Sequence, residues 1–414
     1  MKKFAVAVAV VAMSVEAAAG ADGPPRFVYV DLGQIDPDVT LPQPLNIADA
    51  INESGVASGR ATILFFMGNS LIQRTHAFKA APGETMVDIG ALPEIDTFYG
   101  SRGWDINNQG IVVGEAVFAD IPDPDNSAGL LAPPVIWQHG GANPVDKPEG
   151  ALGGIANAVN DNNQVVGYFG FPIGQPLFRS FLWENGRMRL LDELGDFRSV
   201  AWDINNLGHI VGQAVPDPNE GPKPYMVRDG KAIIFNFTGR AFGINDLDQV
   251  VGSPQFVWEN GVHRTLPDLP NNQGARPYDI NNFGDIVGES FERGAMLWHE
   301  GVAYSLSDLI QPGVGGPAFL RRANGINDKG QIVGYSSPFG SFFRFAFRLD
   351  PVTPDVSGDG VVDGLDLARL IIAWGSDDPY IDLDGDGVVN TADLTDLLLH
   401  WGPVPERKPY FWTK

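Results

Sequence analysis

The stretch DINNFGDIVGES, Asp279–Ser290, recurs along the chain and decides the fold. Six further copies, some close and some worn, begin at Ile51, Asp105, Val159, Asp203, Gly243 and Gly325. Every copy contains an Ile-Asn or Val-Asn pair. The recurring asparagines are Asn52, Asn107, Asn160, Asn205, Asn245, Asn281 and Asn327. Their spacing runs from 36 residues (245 to 281) to 55 residues (52 to 107). Spacings of this length are typical of repeat architectures.

Each copy predicts a tight turn followed by a short strand. Asn281 to Gly284 is turn chemistry, because Asn and Gly adopt positive φ at low cost. Ile286 and Val287 are β-branched and end at Gly288, which indicates a strand. The apolar residues are consecutive rather than alternating, so both faces of the sheet should be covered.

Three more short segments follow within each repeat. A Trp-x-x-Gly turn, as at Trp183–Gly186, predicts the end of a second strand. Met188–Leu191 and Ser199–Ile204 predict a third and a fourth strand before the next Asn turn. Four short strands per repeat are the content of a propeller blade.

The two ends of the array favour a closed ring over an open solenoid. Phe27–Gly33 has the character of a third-strand segment without its predecessors, and Arg344–Phe347 is a second-strand segment without its successors. Together they complete one repeat, whereas a solenoid would need polar caps. The sequence therefore predicts an all-β fold, a seven-bladed β-propeller over 27–350 closed by shared N- and C-terminal strands.

The repeat pattern resembles the HAF repeat of bacterial extracellular proteins. His76-Ala77-Phe78 and Asp88-Ile89-Gly90 carry the motif in the first blade. The resemblance implies a secreted or cell-surface location and implies no defined reaction.

The N-terminus has the features of a signal peptide over residues 1–21. A basic Met1-Lys2-Lys3 precedes the apolar FAVAVAVVAM and the small residues AAAGA, which predict cleavage after Ala19 or Ala21. A buried helix is the alternative interpretation. The run is too short for a permanent membrane anchor, and no later run is long enough to cross a bilayer.

Composition excludes several classes of function. The chain has no cysteine, so disulfides, thiol catalysis and cysteine zinc sites are excluded. The net charge of −23 disfavours nucleic-acid binding, which relies on Lys and Arg.

Two twelve-residue segments near the C-terminus match calcium loops. DVSGDGVVDGLD spans 355–366 and DLDGDGVVNTAD spans 382–393, at a constant offset of 27 (355 to 382). Loop positions 1, 3, 5, 7, 9 and 12 supply the oxygens that Ca²⁺ requires, with glycine at position 6. The predicted ligands are Asp355, Ser357, Asp359, Val361, Asp363 and Asp366 in the first loop, and Asp382, Asp384, Asp386, Val388, Asn390 and Asp393 in the second.

We therefore expect two Ca²⁺ ions as cofactors. The first loop should bind more weakly, because neutral Ser357 stands where the second loop has Asp384. Without metal the crowded carboxylates repel one another, so metal binding should supply folding free energy. We expect chelation to unfold 355–402 and to leave the ring intact.

An amphipathic helix is predicted after each loop, and the two loop–helix units resemble a type I dockerin over 355–402. Leu367, Leu370, Ile371 and Trp374 form the apolar face of one helix, and Leu394, Leu397, Leu398 and Trp401 that of the other. Residues 351–354 are interpreted as a linker and 403–414 as a tail. The resemblance implies a cohesin-facing pair at positions 10 and 11, here Gly364-Leu365 and Thr391-Ala392. These pairs differ from each other and from the Ser-Thr type of the family, so the predicted partner is a cohesin-like module or another envelope protein.

No catalytic motif stands out. The six His are scattered, and the acidic Asp120, Asp123 and Asp125 lie in a Pro-rich segment. Four longer connections should share one face of the ring and could bind a glycan or protein. They are 117–133, 170–178, 214–223 and 335–343, with Phe171, Phe178, Phe339 and Phe342.

Three functions follow from these features. The leading interpretation is a secreted or cell-surface, non-catalytic recognition or scaffolding propeller with a calcium-binding attachment module. The alternative is a polysaccharide-active enzyme or its accessory subunit, of hydrolase or lyase type. A purely structural envelope component is the third. A carboxylate or His cluster at the ring axis would favour the enzyme.

Overall fold

A computed structural model describes residues 24–36, 44–67, 70–92, 99–118, 132–172, 177–195, 197–272, 274–312, 319–338 and 340–412. The predicted signal peptide, Asp120, Asp123, Asp125 and Phe339 lie outside these residues. Among the described residues, no helix combines the length and the apolarity needed to cross a bilayer.

Seven four-stranded antiparallel sheets form the blades of the propeller, and six of them are continuous in sequence. Blade 1 contains β2 (Ile47–Ile51), β3 (Ala57–Met67), β4 (Ser70–Ala80) and β5 (Val87–Gly90). Blade 2 contains β6 (Tyr99–Ile106), β7 (Val112–Phe118), β8 (Pro134–Gln138) and β9 (Gly141–Pro144). Blade 3 contains β10 (Gly153–Val159), β11 (Val165–Gly170), β12 (Phe178–Glu184) and β13 (Arg187–Leu190). Blade 4 contains β14 (Arg198–Ile204), β15 (Ile210–Val215), β16 (Lys223–Arg228) and β17 (Lys231–Ile234). Blade 5 contains β18 (Arg240–Ile244), β19 (Val250–Ser253), β20 (Phe256–Glu259) and β21 (Val262–Thr265). Blade 6 contains β22 (Ala275–Ile280), β23 (Ile286–Ser290), β24 (Gly294–His299) and β25 (Val302–Ser305).

Blade 7 joins the two ends of the ring, which confirms the predicted closure. Its strands, from inside to outside, are β26 (Leu320–Ile326), β27 (Ile332–Ser336), β28 (Phe345–Pro351) and β1 (Phe27–Asp31). β1 pairs antiparallel with β28 from Phe27 opposite Pro351 to Asp31 opposite Phe347. The aromatic rings of Phe27 and Tyr29 are buried in a core shared with blade 6. The N-terminal strand therefore supplies both backbone pairing and apolar burial to the last blade.

The inner strand of every blade has a β-bulge at the same place, three residues before the recurring Asn. The bulge presses the inner strand against the glycine of the neighbouring Ile/Val-Val-Gly strand. A Cβ on Gly212 would lie 2.1 Å from the carbonyl oxygen of Val200, and one on Gly167 would lie 1.9 Å from that of Ile155. The glycine recurs because a side chain has no room there.

The recurring asparagines form a closed circle of hydrogen bonds. The Nδ2 of Asn205 donates to the carbonyl of Asn245 in the next blade at 3.0 Å, and its Oδ1 accepts from two amides of its own turn. The same bond repeats around the ring and closes from Asn327 to the carbonyl of Asn52 at 3.0 Å. All seven asparagines are buried. The sequence motif predicted only a turn at these asparagines, but they also bond each blade to its neighbour.

Replacing one of these asparagines should destabilise the ring. Asn205→Ala removes the four hydrogen bonds of this side chain, including the bond to the Asn245 carbonyl, which then keeps the amide of Asp248 as its donor. At about 0.5–1.5 kcal/mol for each bond, we expect a loss of about 2–4 kcal/mol. Denaturant unfolding measures it. The exposed neighbour is the control, and Asn206→Ala should cost less than about 1 kcal/mol. Equal losses for the two variants would contradict the buried circle.

The C-terminal module is small and mostly helical. α1 (Gly364–Ile372) and α2 (Thr391–Leu399) pack on a short core, and β29 (Val361–Val362) pairs with β30 (Gly402–Pro403). The fully buried members of this core are Leu370, Val389 and Leu397.

Candidate calcium centre and propeller channel

The second acidic loop, 382–393, is folded around its own carboxylates. Asp382 at position 1 accepts hydrogen bonds from the amides of Gly385, Asp386 and Gly387 at 2.9–3.2 Å. Asp393 at position 12 is fully buried and accepts from the amide of Leu383 at 2.6 Å. Carboxylate oxygens of Asp382, Asp384 and Asp393 lie within 4.8 Å of one another. Converging hard oxygens of this kind fit Ca²⁺.

The first acidic loop, 355–366, repeats the pattern at the predicted offset. Asp355 accepts from the amides of Gly358, Asp359 and Gly360, and Asp366 accepts from those of Ser357 and Asp363. Gly360 and Gly387 have φ of 90° and 93°, as the sharp turn at position 6 demands. Ser357 donates its hydroxyl to Asp355 instead of supplying a carboxylate.

Position 9 of each loop caps the following helix. Asp363 and Asn390 are the N-caps of α1 and α2, and Asp366 and Asp393 at position 12 complete capping boxes.

Burial and the neighbouring carboxylates raise the pKa of Asp384 at position 3. Position 5 is turned toward its own loop, because Asp359 accepts from the amide of Val361 and Asp386 from that of Val388. Val361 and Val388 at position 7 are both exposed.

The helices leave much of their apolar surface uncovered. Leu370 and Leu397 enter the core, but Ile371, Trp374, Leu398 and Trp401 of the predicted apolar faces are exposed. Ile372 and Leu399 are 86% and 76% exposed. Gly364-Leu365 and Thr391-Ala392, the pairs implied by the dockerin resemblance, are exposed as well. We call Leu365, Ile371, Ile372, Trp374, Leu398, Leu399 and Trp401 the helix surface. Its uncovered aromatic and aliphatic side chains are typical of a protein-binding surface.

The second acidic loop also contacts the propeller, which the sequence did not predict. Gln311 donates from Nε2 to the carbonyl of Asp382 at 2.7 Å, and Arg26 donates from Nη1 to that of Leu383 at 3.1 Å. Tyr380 donates its hydroxyl to Asp350, which is paired with Arg348. These contacts join residues that are 30, 71 and 357 positions apart, so no local sequence pattern predicts them.

The tail beyond the module returns to the propeller. Arg407 pairs with Asp285 at 2.6 Å, and Trp412 donates from Nε1 to the carbonyl of Gly284 at 2.9 Å. Although burial opposes it, the bonds from His299 and Arg407 hold the pKa of Asp285 below its usual value. Trp412 is buried in the core between blades 5 and 6. The end of the described tail, from Arg407 to Trp412, therefore contacts the ring.

One mouth of the central channel is lined by the residues that follow the recurring asparagines. Around the ring they alternate between acid and amide except where Asp328 meets Glu53. Their members are Glu53, Asn108, Asp161, Asn206, Asp246, Asn282 and Asp328. Each side-chain oxygen accepts from the amide of its counterpart in the preceding blade, as from Asn108 to Asp161 at 2.9 Å. They surround a cavity of about 160 Å³.

Deeper in the channel, three aspartates bridge neighbouring blades. Asp105, Asp203 and Asp279 each accept from the next amide in their own strand and from an amide of the following blade. Burial raises the pKa of Asp105 and of Asp279 to about 6 and that of Asp203 well above its usual value. Because both oxygens of each carboxylate are occupied by backbone amides, these groups tie blades together.

The bulged residues form the next layer and are half-buried in all seven blades. They are Asp49, Trp104, Asn157, Trp202, Phe242, Tyr278 and Asn324. A bulge re-aims a side chain, and here it turns one residue per blade toward the axis. We call these seven residues the channel layer. They could not be found from the repeats, because the residue type at the bulged position varies from blade to blade.

The channel layer has an aromatic side and, across the ring, a side that contacts charged groups. Trp202 meets Phe242 at 5.9 Å between ring centroids, and Phe242 meets Tyr278 at 5.7 Å. Across the ring, Arg60 lies 4.5 Å over Trp104 and 3.4 Å from Asp49. Arg102 pairs with Glu115, whose pKa is raised by burial.

Among the described residues, the histidines are not gathered into a catalytic cluster. His76, His209 and His299 pair with Asp88, Asp248 and Asp285. Over the described residues, the calcium-loop group Asp382, Asp384 and Asp393 is the only cluster of metal-type side chains. The four longer connections join second to third strands, opposite the Asn turns. Phe171, expected on that face, is instead buried, because it packs in the core of blades 2 and 3. Phe178 is half-buried and Phe342 is 90% exposed.

Comparison with known proteins identifies the C-terminal module. Residues 353–398 match the Dockerin type I domain family. No curated protein matches the chain.

Two solved structures resemble parts of the chain at low scores. A protein of unknown function from Dyadobacter fermentans is similar over 78% of this chain and 98% of its own, at 11% identity and a TM-score of 0.40. A gluconolactonase from Xanthomonas campestris is similar over 57% and 82%, at 12% identity and a TM-score of 0.32. The propeller assignment therefore rests on the strand pairing itself. The chain consists of a propeller-like ring of seven blades and, at 353–398, a dockerin type I domain.

Proposed function

We propose that this protein is a secreted or cell-surface component whose dockerin domain attaches it to a partner in the presence of calcium. Dockerin domains bind calcium, typically pair with cohesin modules, and typically occur in extracellular or cell-surface proteins. The observation that carries the proposal is the convergence of Asp382, Asp384 and Asp393 in the second loop, with matching hydrogen bonds to the position-1 aspartate in both loops.

The helix surface is the proposed attachment site. Most of its aliphatic and aromatic side chains lie at the C-terminal ends of α1 and α2. Ile372 and Leu399 are the most exposed among them. Calcium at the two loops would fix the first turns of α1 and α2, since the position-12 aspartates also cap those helices. A cohesin-like module or another envelope protein with an apolar face is the partner that fits.

Charge on the helix surface should abolish attachment. We expect Ile372→Asp with Leu399→Asp to reduce capture of the partner at least about 10-fold, since buried apolar anchors carry binding energy. The measurement is a pull-down from the producing cell's envelope with calcium and with chelator. Phe342→Asp, an equally exposed site on the propeller, is the control. If the amount of captured partner changes neither with calcium nor in the helix variants, the proposal is refuted.

The propeller is proposed to recognise a polar ligand in its channel without reacting with it. Trp202 Nε1, Gln213 Oε1 and Asn324 Oδ1 lack hydrogen-bond partners within the described part of the chain. Buried polar atoms are normally paired, so these unpaired atoms, together with the rings of Trp202, Phe242 and Tyr278 in the channel layer, favour a hydroxyl-rich ligand such as a glycan end. A glycan array tests this, and the absence of glycan binding would favour the purely structural role.

A second candidate function is a polysaccharide-active enzyme or accessory subunit. The channel carboxylates Asp49 and Glu115 favour it, because burial raises the pKa of both as a general acid requires. Both carboxylates are paired with arginines, which favours recognition instead. Release of sugars from polysaccharide that is lost in Glu115→Gln would establish the enzyme.

A further inference from the structure

The second calcium loop and the closing strand of the propeller are held by the same two residues. Gln311 donates from its side chain to the carbonyl of Asp382, and its own amide donates to the carbonyl of Phe27 at 2.9 Å. Arg26 donates to the carbonyl of Leu383, and its own carbonyl accepts from Val352 at 2.9 Å. The backbone of loop positions 1 and 2 is therefore bonded to the start of β1.

This contact is close-packed and buried. Gln311 and Asp382 are 3% and 1% exposed. A Cβ on Gly385, at loop position 4, would lie 2.6 Å from Gln311 Oε1 and 2.7 Å from Arg26 Nη1. Any shift of the second loop would therefore be transmitted to both side chains.

The first calcium loop lacks this support. Gly358 occupies the equivalent position with nearly the same backbone, φ of 75° against 74° for Gly385. A Cβ on Gly358 would meet nothing within 4 Å. Two loops of near-identical sequence thus have different surroundings, one free and one clamped by the propeller.

We propose that Gln311 and Arg26 are positioning residues of the second calcium site, and that calcium at this site stabilises the closure of the ring. A carboxylate loop that binds metal must hold one backbone shape, and the clamp favours that shape before metal arrives. By linkage, whatever the clamp adds to calcium affinity, calcium adds to the clamp. The inference rests on the calcium binding proposed for the loops.

The size of the effect follows from comparable supports of metal sites. Partners in the outer shell change metal affinity by about 10–100-fold when they are removed. Gln311→Ala should therefore weaken the second site about 10-fold and leave the first site unchanged. Gly385→Ala should weaken it at least as much. Gly358→Ala, which strains the backbone equally but meets no neighbour, should affect only the first site.

Calorimetric titration of the full chain with Ca²⁺ tests the positioning role. Two-site binding with a weakened second site in Gln311→Ala and Gly385→Ala, but not in Gly358→Ala, is the expected result. Equal Ca²⁺ affinities of the second site in all three variants would overturn the inference. Absence of calcium binding in the wild-type chain would instead refute the proposed function.

A measurement without substitutions tests the linkage to ring closure. Amide exchange of Phe27–Asp31 in the wild-type chain should slow at least about 10-fold when Ca²⁺ is added, because metal holds the loop that holds Arg26 and Gln311. The outer strand of blade 4, Lys231–Ile234, is the internal control and should be unchanged. Identical exchange of β1 with and without Ca²⁺ would overturn the linkage, whatever the variants show.

Discussion

Removing β1, Phe27–Asp31, is expected to abolish cooperative folding of the propeller. The deletion takes Phe27, Val28 and Tyr29 out of the core and leaves β28, which contains Leu349 opposite Tyr29, as an unpaired edge strand. Burial of each large apolar side chain contributes about 1.5–3 kcal/mol, and a whole domain is stable by only about 5–15 kcal/mol. Scanning calorimetry of the deleted chain should show no ring transition at the wild-type temperature, and the exposed edge should promote aggregation.

A peptide supplied in trans separates closure from general damage. A synthetic peptide covering residues 24–33 should restore the calorimetric transition of the deleted chain, because it can pair with β28 in the native register. A scrambled peptide of the same composition should not. If the deleted chain melts like the full chain without any peptide, the ring does not depend on its N-terminus.

Calcium removal is expected to unfold the dockerin domain and to lower the stability of the ring. The core of the domain is small, and the carboxylates of Asp382, Asp384 and Asp393 lie within 4.8 Å of one another, so they repel when no cation is bound. Calcium at 100 times its dissociation constant would stabilise each site by about 2.7 kcal/mol. With chelator, residues 355–402 should become sensitive to protease, and the melting temperature of the ring should fall by a few degrees. The sequence alone led us to expect an intact ring, and the contacts of Arg26 and Gln311 are the reason for the change.

A charge-matched pair of variants controls for the loss of one carboxylate. Asp393→Asn removes the buried position-12 oxygen, whereas Asp396→Asn changes a side chain on the outer part of α2. Only the first should reproduce the effect of chelator while calcium is present. Protease resistance of 355–402 in chelator, or equal behaviour of the two variants, would show that metal does not fold this domain.

The fold could be predicted because each repeat is specified by residues that lie close together in the sequence. The Asn turn, the Val-Gly strand and the two unequal ends identify seven blades and their closure without any knowledge of contacts. The two acidic loops could be found for the same reason, since a twelve-residue segment contains the whole pattern of predicted ligands. Asp382, Asp384 and Asp393 converge as their spacing requires.

The candidate sites in the ring could not be predicted because they are assembled across blades. The bulge that turns Trp202 and Tyr278 to the axis depends on backbone packing against a glycine of the adjacent strand in the same blade, which the pattern of apolar and turn residues does not show. The clamp of Gln311 on Asp382 and the seat of Trp412 join segments that are remote in sequence. The predicted place of Phe171 on the loop face was wrong for a related reason, because its loop folds back into the core of blades 2 and 3.

Amide exchange of the wild-type chain tests the central claim most directly, that β1 closes the ring as the outer strand of blade 7. The account predicts that the β28-bonded amides of Phe27–Asp31 exchange as slowly as those of the outer strands β13 and β17 in blades 3 and 4. Complete exchange of β1 within seconds, while β13 and β17 remain protected, would contradict it.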